Sequence, residues 1–306
     1  MSQRLRAELA LALCTFLWGS TFVVVKNSLD QSSVFVFLAV RFSLAGFCMS
    51  IFRPQVLRSL QREEGFAGIR LGFFMFAGYA FQTAGLKYTT ASNSGFITGS
   101  SVVLVPLILA LFWGKRVTWW VYFGTIAAAA GLYFLTVPAS GMAHLNRGDV
   151  LTFFAAASYA VHIILVGEYT REHSAAALSV LQVIACAGMA WLTALGAHSI
   201  RWQTMRFEPT GALWVGVSVC AVFATAVAFS LQLWAQQYTT PSHAAILFTL
   251  EPVFAVATSY VVLGERLGAR SLVGAALVLA GILAAELLGP PAAPESPEPT
   301  GDPHPS

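Results

Sequence analysis

The chain carries one stretch of sequence twice, and this duplication limits its fold more than any other feature. Residues 82–131 align without a gap on residues 232–281, and a Tyr-Thr-Thr turn and several glycines coincide. Each copy holds two long apolar runs joined by a short hinge, Gly-Lys-Arg at 114–116 and Gly-Glu-Arg at 264–266. A repeat of this length is a supersecondary unit, so the sequence predicts a repeated pair of helices.

The apolar runs are long enough to cross a lipid bilayer. Hydrophobic residues make up 57% of the chain and charged residues 10%, whereas soluble domains carry about 25% charged residues. Runs of about 20 apolar residues, the length that spans a membrane, recur along the sequence. The net charge of +3 is spread over the gaps between these runs, which gives no basis for nucleic-acid binding. The composition therefore predicts a polytopic membrane protein.

The number of apolar runs predicts an all-α fold of ten transmembrane helices. A membrane-spanning segment of this length satisfies its backbone groups internally as a helix. A weaker alignment extends the repeat to the first helices and pairs Trp18 with Tyr159 and Arg41 with Gln182. Five spans in each half give two inverted five-helix repeats, as in secondary transporters. The repeats are predicted at 8–137 and 148–289, with spans at 8–26, 32–52, 67–86, 91–113, 118–137, 148–168, 175–197, 211–235, 240–263 and 269–289.

The loop charges of the first half predict a cytoplasmic N-terminus. Its Arg and Lys residues concentrate in loops on one side, which is the positive-inside bias. The second half has the opposite bias, with Arg201 and Arg206 on the outer side, so either the first half dominates insertion or one of the predicted spans is wrong. We keep ten spans because early helices usually set the orientation. We therefore expect a cell-membrane protein with both termini in the cytoplasm. The tail at 290–306 is proline-rich and without periodicity, and we expect it to be disordered.

Three segments resemble the EamA repeat of the drug/metabolite transporter superfamily. They are LWGSTFVVVK at 17–26, GLKYTTASNSGFITG at 85–99 and QYTTPSHAAILFTLEPVFAVATSYVVLGERL at 237–267. The resemblance covers nearly the whole chain in two copies. It implies a ten-helix bundle around a cavity that opens alternately to each side, and export of amino acids and related metabolites. The first copy departs from the family pattern, because Lys115 stands where the second copy has Glu265.

Two ionisable residues are predicted near the middle of the membrane, Arg41 and Glu251. An ionisable side chain there costs about 2.5–3.5 kcal/mol, so each needs a reason. One interpretation is a buried ion pair, or Arg41 bonded to loosened carbonyls while Glu251 caps a kink at Pro252. The other is ion coupling, in which Glu251 binds and releases a proton and is reset by Arg41 or His243.

Polar and aromatic residues at helical spacing predict two stripes that face the interior. Residues three, four or seven positions apart share one face of a helix. The glutamines of the two stripes are equivalent in the repeat; they either bond neighbouring helices or bind a polar group of a substrate. The stripe residues are Thr225, Phe229, Gln232 and Gln236 in the eighth span, and Met75, Tyr79 and Gln82 in the third.

The sixth span places Tyr159 and His162 on one face, and the first span has Trp18 and Thr21 at the equivalent positions. His162 is either a bonded core residue or a proton carrier. The aromatic residues either pack the helices or line an apolar pocket for an amphipathic metabolite or a cation. The candidate cavity residues are Trp18, Thr21, Tyr79, Gln82, Asn93, Tyr159, His162, Phe229, Gln232 and Trp234.

The sequence predicts a secondary transporter rather than an enzyme. It contains no HExxH or GxSxG motif and no P-loop, and its four cysteines lack metal-like spacing. We expect no catalytic residue, no metal and no cofactor. The expected partners are a small-molecule substrate and the lipid bilayer; self-association is left open. The alternative function is a membrane scaffold or receptor without transport, and an intramembrane enzyme fits least.

Overall fold

A computed structural model describes residues 2–58, 60–89, 91–115, 117–137, 146–254, 257 and 268–288, with side chains except at 22, 23, 57, 91–93, 96, 135, 136, 271 and 285–287. The described chain is helical, and its one β-type pairing is an isolated antiparallel bridge between Ser32 and Phe207. The helices are α1 (Gln3–Ser28), α2 (Val34–Phe52), α3 (Pro54–Arg58), α4 (Arg62–Gly85), α5 (Ala91–Gly99), α6 (Ser101–Phe112), α7 (Trp119–Thr136), α8 (Arg147–Glu172), α9 (Ala175–Ser199), α10 (Gly211–Ala221), α11 (Ala228–Gln236), α12 (Pro241–Phe248) and α13 (Ala269–Leu288).

Most predicted spans coincide with one helix each, but four regions differ. The predicted span at 211–235 is divided into α10 and α11 by a π-helical segment at Val222–Val227. The predicted span at 91–113 is divided into α5 and α6 at Ser100. The link after α2 was predicted to be a loop and contains the short helix α3, which begins at a proline, a residue that suits the first position of a helix. The predicted span at 240–263 begins as α12 and is helical again at 250–254. Most of its remainder lies outside the described residues.

Four helical segments are apolar and long enough to cross a membrane by length and composition. They are Val34–Phe52, Arg147–Glu172, Ala175–Ser199 and Gly211–Gln236. Shorter apolar helical segments lie at Ile97–Phe112, Trp119–Phe134 and Leu272–Ala284. These segments agree with a polytopic membrane protein, and the count of ten spans stays a prediction. The tail at 290–306 lies outside the described residues.

Two carboxylates tie neighbouring helices together at their ends. Asp149 completes a capping box with Asn146 at the start of α8, and it accepts a 2.5 Å hydrogen bond from Thr89 in the Tyr-Thr-Thr turn. Glu64 completes the capping box of α4 and accepts a hydrogen bond from the backbone N–H of Ser174 at the start of α9. Because capping satisfies backbone groups at helix ends, these bonds fix where α4, α8 and α9 begin.

Helix α7 packs against α13 through glycines that are equivalent in the repeat. A Cβ added at Gly131 would lie 2.7 Å from the carbonyl oxygen of Gly274, and one added at Gly281 would lie 2.7 Å from that of Gly124. Glycine is therefore required for this close approach. In the repeat, Gly131 is equivalent to Gly281 and Gly124 to Gly274, so each contact is the counterpart of the other. Since positions fall along α7 as they rise along α13, the two helices run antiparallel.

The described residues form three apolar clusters in the interior. A small one joins α4, α8, α9 and α11, and Trp18 packs against the two larger ones. One of the larger clusters is built mainly from α1, α6, α7, α8, α12 and α13, and the other from α2, α4, α9 and α10. Helix α4 packs against both α8 and α9. At Gly78 the missing side chain leaves room for the ring of Tyr159. The polar residues singled out by the sequence lie along this border between the clusters.

Candidate functional site

Four aromatic side chains form a continuous row between the helices. Trp18 of α1 lies 5.5 Å from Phe229 of α11, measured between ring centroids. Phe229 lies 6.3 Å from Tyr79 of α4, which lies 5.7 Å from Tyr159 of α8. The row is symmetric under the repeat, because Tyr79 is equivalent to Phe229 and Trp18 to Tyr159. We name these four residues the aromatic row.

Arg41 of α2 is buried beside the aromatic row, with 3% of its surface exposed. Its Nε donates a 2.9 Å hydrogen bond to the hydroxyl of Thr225. Its Nη2 lies 3.4 Å from the carbonyl oxygen of Ala224 and 3.5 Å from the Tyr79 hydroxyl. The guanidinium carbon is 4.9 Å from the centroid of the Tyr79 ring, a cation–π arrangement. Every one of these partners is electrically neutral.

One interpretation of the sequence was an ion pair between Arg41 and Glu251, and the ion pairs found among the described residues do not include Arg41. The contact of Arg41 with the Ala224 carbonyl agrees with the other form of that interpretation, in which Arg41 bonds a backbone carbonyl. The role of Arg41 stays a prediction. A buried charge without an opposite charge destabilises the protein, and the described part of the chain supplies no anionic partner for Arg41.

The carbonyl that Arg41 contacts lies in an irregular turn. Residues Val222–Val227 form a π-helical segment between α10 and α11, and such segments occur often at functional sites. The Ala224 carbonyl also accepts a 2.9 Å hydrogen bond from the indole N–H of Trp18. Thr225 donates its own proton to a carbonyl five residues earlier, at 2.8 Å, which leaves its oxygen to accept from Arg41. The π segment thus positions the cation.

Gln82 of α4 has both ends of its amide engaged. Its Nε2 donates to the hydroxyl of Thr98 at 3.1 Å, and its Oε1 accepts from the hydroxyl of Tyr159 at 3.3 Å. The side chain therefore links α4, α5 and α8. These contacts agree with the interpretation that Gln82 bonds neighbouring helices.

Gln232 of α11, the repeat equivalent of Gln82, has different neighbours. Its Nε2 donates a 2.9 Å hydrogen bond to Oε1 of Gln236, whose Nε2 donates to the carbonyl oxygen of Ile163 at 2.9 Å. The Oε1 atom of Gln232 is buried and has no partner among the described residues. The predicted stripe of the eighth span does face the interior, since Thr225, Phe229, Gln232 and Gln236 are all buried.

Gln182 of α9 is a site residue that the sequence candidates did not include. Its Oε1 lies 2.8 Å from Nε2 of His162, whose ring lies 6.1 Å from that of Phe229. Gln182 is fully buried, and its Nε2 has no partner among the described residues. The available signal was the repeat itself, because Gln182 aligns with Arg41.

Three candidates are bonded away from the aromatic row. Trp234 packs on Tyr238, with ring centroids 5.5 Å apart. The Thr21 hydroxyl donates to carbonyl oxygens of its own helix, at 3.0 and 3.1 Å. His243 lies in the first turn of α12, where its Nδ1 is 2.6 Å from the hydroxyl of the N-cap residue Thr240. The structure thus places His243 at a helix end.

Glu251 and Asn93 complete the candidate set. Glu251 is half-buried within the helical residues 250–254, and its charge interacts electrostatically with Tyr79 and Tyr159 of the aromatic row. The side chain of Asn93 lies outside the described residues.

The arrangement suits binding rather than bond chemistry. In the described ranges, no three His, Cys, Asp or Glu side chains group closely enough to hold a metal ion. The four cysteines are free thiols, and three of them are buried. What converges instead is a buried cation, hydroxyl groups, amide atoms and aromatic faces, the mixture typical of small-molecule sites.

Both halves of the chain match the model of the EamA-like transporter family, at residues 5–137 and 146–286. A protein of Archaeoglobus fulgidus named as an uncharacterized transporter is 38% identical over 285 residues, which cover 93% of this chain and 87% of that protein. The threonine/homoserine exporter RhtA of Escherichia coli K12 is 27% identical over 255 residues, which cover 81% of this chain and 79% of RhtA.

The fold also has a counterpart among solved structures. A crystal structure of a protein with 20% sequence identity matches with a TM-score of 0.75 and covers 92% of this chain and 96% of its own. At that identity the likeness concerns the fold alone. The two family matches and the 38% identical relative show that this chain belongs to the EamA-like transporter family, and its apolar helices agree with a membrane protein.

Proposed function

We propose that this protein is a secondary transporter that exports small metabolites, such as amino acids or amphipathic compounds, across the cell membrane by alternating access. The observation that carries the proposal is the buried charge of Arg41, which lies beside the aromatic row and has no ionic partner among the described residues. A buried cation destabilises the protein unless an anion binds to it. Relatives named as threonine/homoserine exporters make amino acids the first class to test.

The proposed mechanism uses two inverted repeats of five spans each, at 8–137 and 148–289, with both termini in the cytoplasm. The reciprocal glycine contacts of α7 and α13 support this arrangement, and so does the symmetric aromatic row. A pseudo-twofold axis between two copies produces contacts that exchange in this way. Antiparallel α7 and α13 agree with halves that cross the membrane in opposite directions.

Contacts between the halves lie on both sides of the aromatic row. Near the end of α8, Glu168 accepts hydrogen bonds from the Trp113 indole at 2.8 Å and from the Lys115 ammonium at 3.0 Å. Near the start of α8, Asp149 accepts the bond from Thr89. In the proposed cycle each set of contacts breaks in turn, so the row is reached first from one side and then from the other.

Reconstitution into proteoliposomes tests the proposal. Vesicles loaded with labelled L-threonine, L-homoserine or a cationic amphiphile, with and without a pH gradient, should lose at least one of these compounds faster than protein-free vesicles. The Arg41→Leu variant should lose this activity for anionic and zwitterionic compounds. Release equal to that of protein-free vesicles under every condition would contradict transport of these compounds and favour a scaffold or receptor.

A further inference from the structure

One buried oxygen atom near the aromatic row lacks a hydrogen-bond donor, and the bonds around it fix its identity. The carbonyl of Ile163 can only accept, so Gln236 must turn its Nε2 toward it. The Oε1 atom of Gln236 then faces Gln232 and can only accept a hydrogen bond, so the donor on Gln232 must be its Nε2. The atom left over on Gln232 is therefore Oε1, an acceptor, and an amide flip cannot exchange it for a donor without breaking this chain.

The equivalent oxygen in the other half has a donor. Oε1 of Gln82 accepts from the hydroxyl of Tyr159, whose repeat equivalent is Trp18. The indole N–H of Trp18 is directed to the Ala224 carbonyl instead. Both halves therefore carry a glutamine at this position. Among the described residues, Oε1 of Gln82 has a hydrogen-bond donor and Oε1 of Gln232 has none.

The open acceptor shares its helix with Phe229, and the Arg41 cation stands over Tyr79, whose ring neighbours that of Phe229. Phe229 lies one helical turn before Gln232 and 6.3 Å from Tyr79. Gln232 is 1% exposed, so its oxygen is removed from bulk water. A buried acceptor without a donor is destabilising, as is a buried cation without an anion. One molecule that carries both a donor and an anion would satisfy the two together.

We propose that Oε1 of Gln232 accepts a hydrogen bond from an ammonium group of the transported molecule, whose anionic group is bound by Arg41. The substrate is then a small zwitterion, and Gln232 determines the preference for its ammonium end. This inference rests on the proposed transport function and adds the polarity of its binding site. Gln82, whose amide is already occupied, positions helices and does not select the substrate.

Binding measurements on the purified full chain in detergent test the assignment with three probes. L-Threonine carries both groups, 3-hydroxybutyrate lacks the ammonium, and L-threoninol lacks the carboxylate. Wild-type protein should bind L-threonine at least about tenfold more tightly than either analogue, because each analogue leaves one buried group unsatisfied. In Gln232→Leu the ratio of the affinity for L-threonine to that for 3-hydroxybutyrate should fall close to one. The ratio of the affinity for L-threonine to that for L-threoninol should stay at its wild-type value.

Two further variants complete the test. Gln82→Leu is the repeat-matched control, and it should weaken binding of all three probes together without changing their ratios. Gln232→Glu keeps an acceptor oxygen and adds a negative charge, so it should raise the preference for L-threonine over 3-hydroxybutyrate above the wild-type value, including where the leucine variant does not fold.

The outcomes separate this inference from the transport proposal. An unchanged probe ratio in Gln232→Leu overturns the inference, as does the failure of wild-type protein to bind any probe. A more stable Gln232→Leu protein with unchanged ratios also overturns it and assigns the oxygen to an internal water. Selective binding without flux in vesicles contradicts transport and leaves the role of Gln232 standing.

Discussion

At the scale of single residues, Arg41 has the most unusual setting in the described part of the chain. Its partners are a hydroxyl, a backbone carbonyl and aromatic faces, which stabilise a cation without neutralising it. Glu251 acts on the same region through its electrostatic interaction with Tyr79 and Tyr159. Among the described residues the two opposite charges form no pair, and protonation of Glu251 would change the electrostatic field around the anion site proposed at Arg41.

Replacement of Glu251 by Gln should abolish the acceleration of export by a pH gradient, because the amide cannot exchange a proton. Transport down the substrate's own gradient and insertion into the membrane should persist. Flux from proteoliposomes with and without an imposed pH gradient measures both quantities.

Glu208→Gln is the control for this prediction. Glu208 is exposed and lies 3.8 Å from Arg206 in a loop, far along the chain from the aromatic row. This variant should keep the wild-type response to the gradient. A Glu251→Gln protein that responds to the gradient as the wild type does would contradict proton coupling at this residue.

The stripes at helical spacing were predicted correctly from the sequence, and the partners of the residues were not. Periodicity identifies which side chains share a face, so the burial of Phe229 and Gln232 followed from spacing alone. The partners depend on how helices distant in sequence pack. Gln82 and Gln232 align in the repeat, yet only the structure separates the engaged amide from the open one.

At the scale of elements, the π segment at Val222–Val227 shapes the site more than any regular helix does. It directs the Ala224 carbonyl and the Thr225 hydroxyl toward Arg41. This segment could not be predicted from the sequence, because one inserted residue in an apolar span changes neither its length nor its composition appreciably. The division of the fourth span at Ser100 escaped prediction for the same reason.

Thr225→Val should lower the free energy of unfolding by about 1–3 kcal/mol, because it leaves a buried N–H of Arg41 without its acceptor. Thr170→Val is a matched control, since Thr170 is also buried but its hydroxyl bonds only a carbonyl of its own helix. That control should cost less than about 1 kcal/mol. Unfolding of both variants in the same detergent measures the difference, and equal losses would contradict the role assigned to Thr225.

At the scale of the whole molecule, the two halves are joined by contacts that exchange under the repeat. The duplication itself was readable from the sequence, whereas the antiparallel contact of α7 with α13 required the structure. Glycine at four equivalent positions was visible in the alignment, but spacing cannot tell which helices approach each other so closely.

Inverted repeats place the loop after α2 and the loop after α9 on opposite faces of the membrane. Single cysteines at Arg58 and Thr204, both exposed, should therefore react with a membrane-impermeant thiol reagent from opposite sides, in a background without the native cysteines. Intact cells and inside-out vesicles measure the two accessibilities. Labelling of both positions from the same side would remove the inverted arrangement on which alternating access depends.

The π segment holds one more residue in each hydrogen-bonded turn than the regular helix on either side of it. If Val222–Val227 were rewound as a regular helix, the chain beyond it would turn by about 100° and advance about 1.5 Å, the increments of one residue. Phe229 and Gln232 would swing away from Trp18 and Tyr79 while α10 stayed where it is. A screw motion within a single span would thus be enough to separate the residues of the aromatic row and to bring them together again.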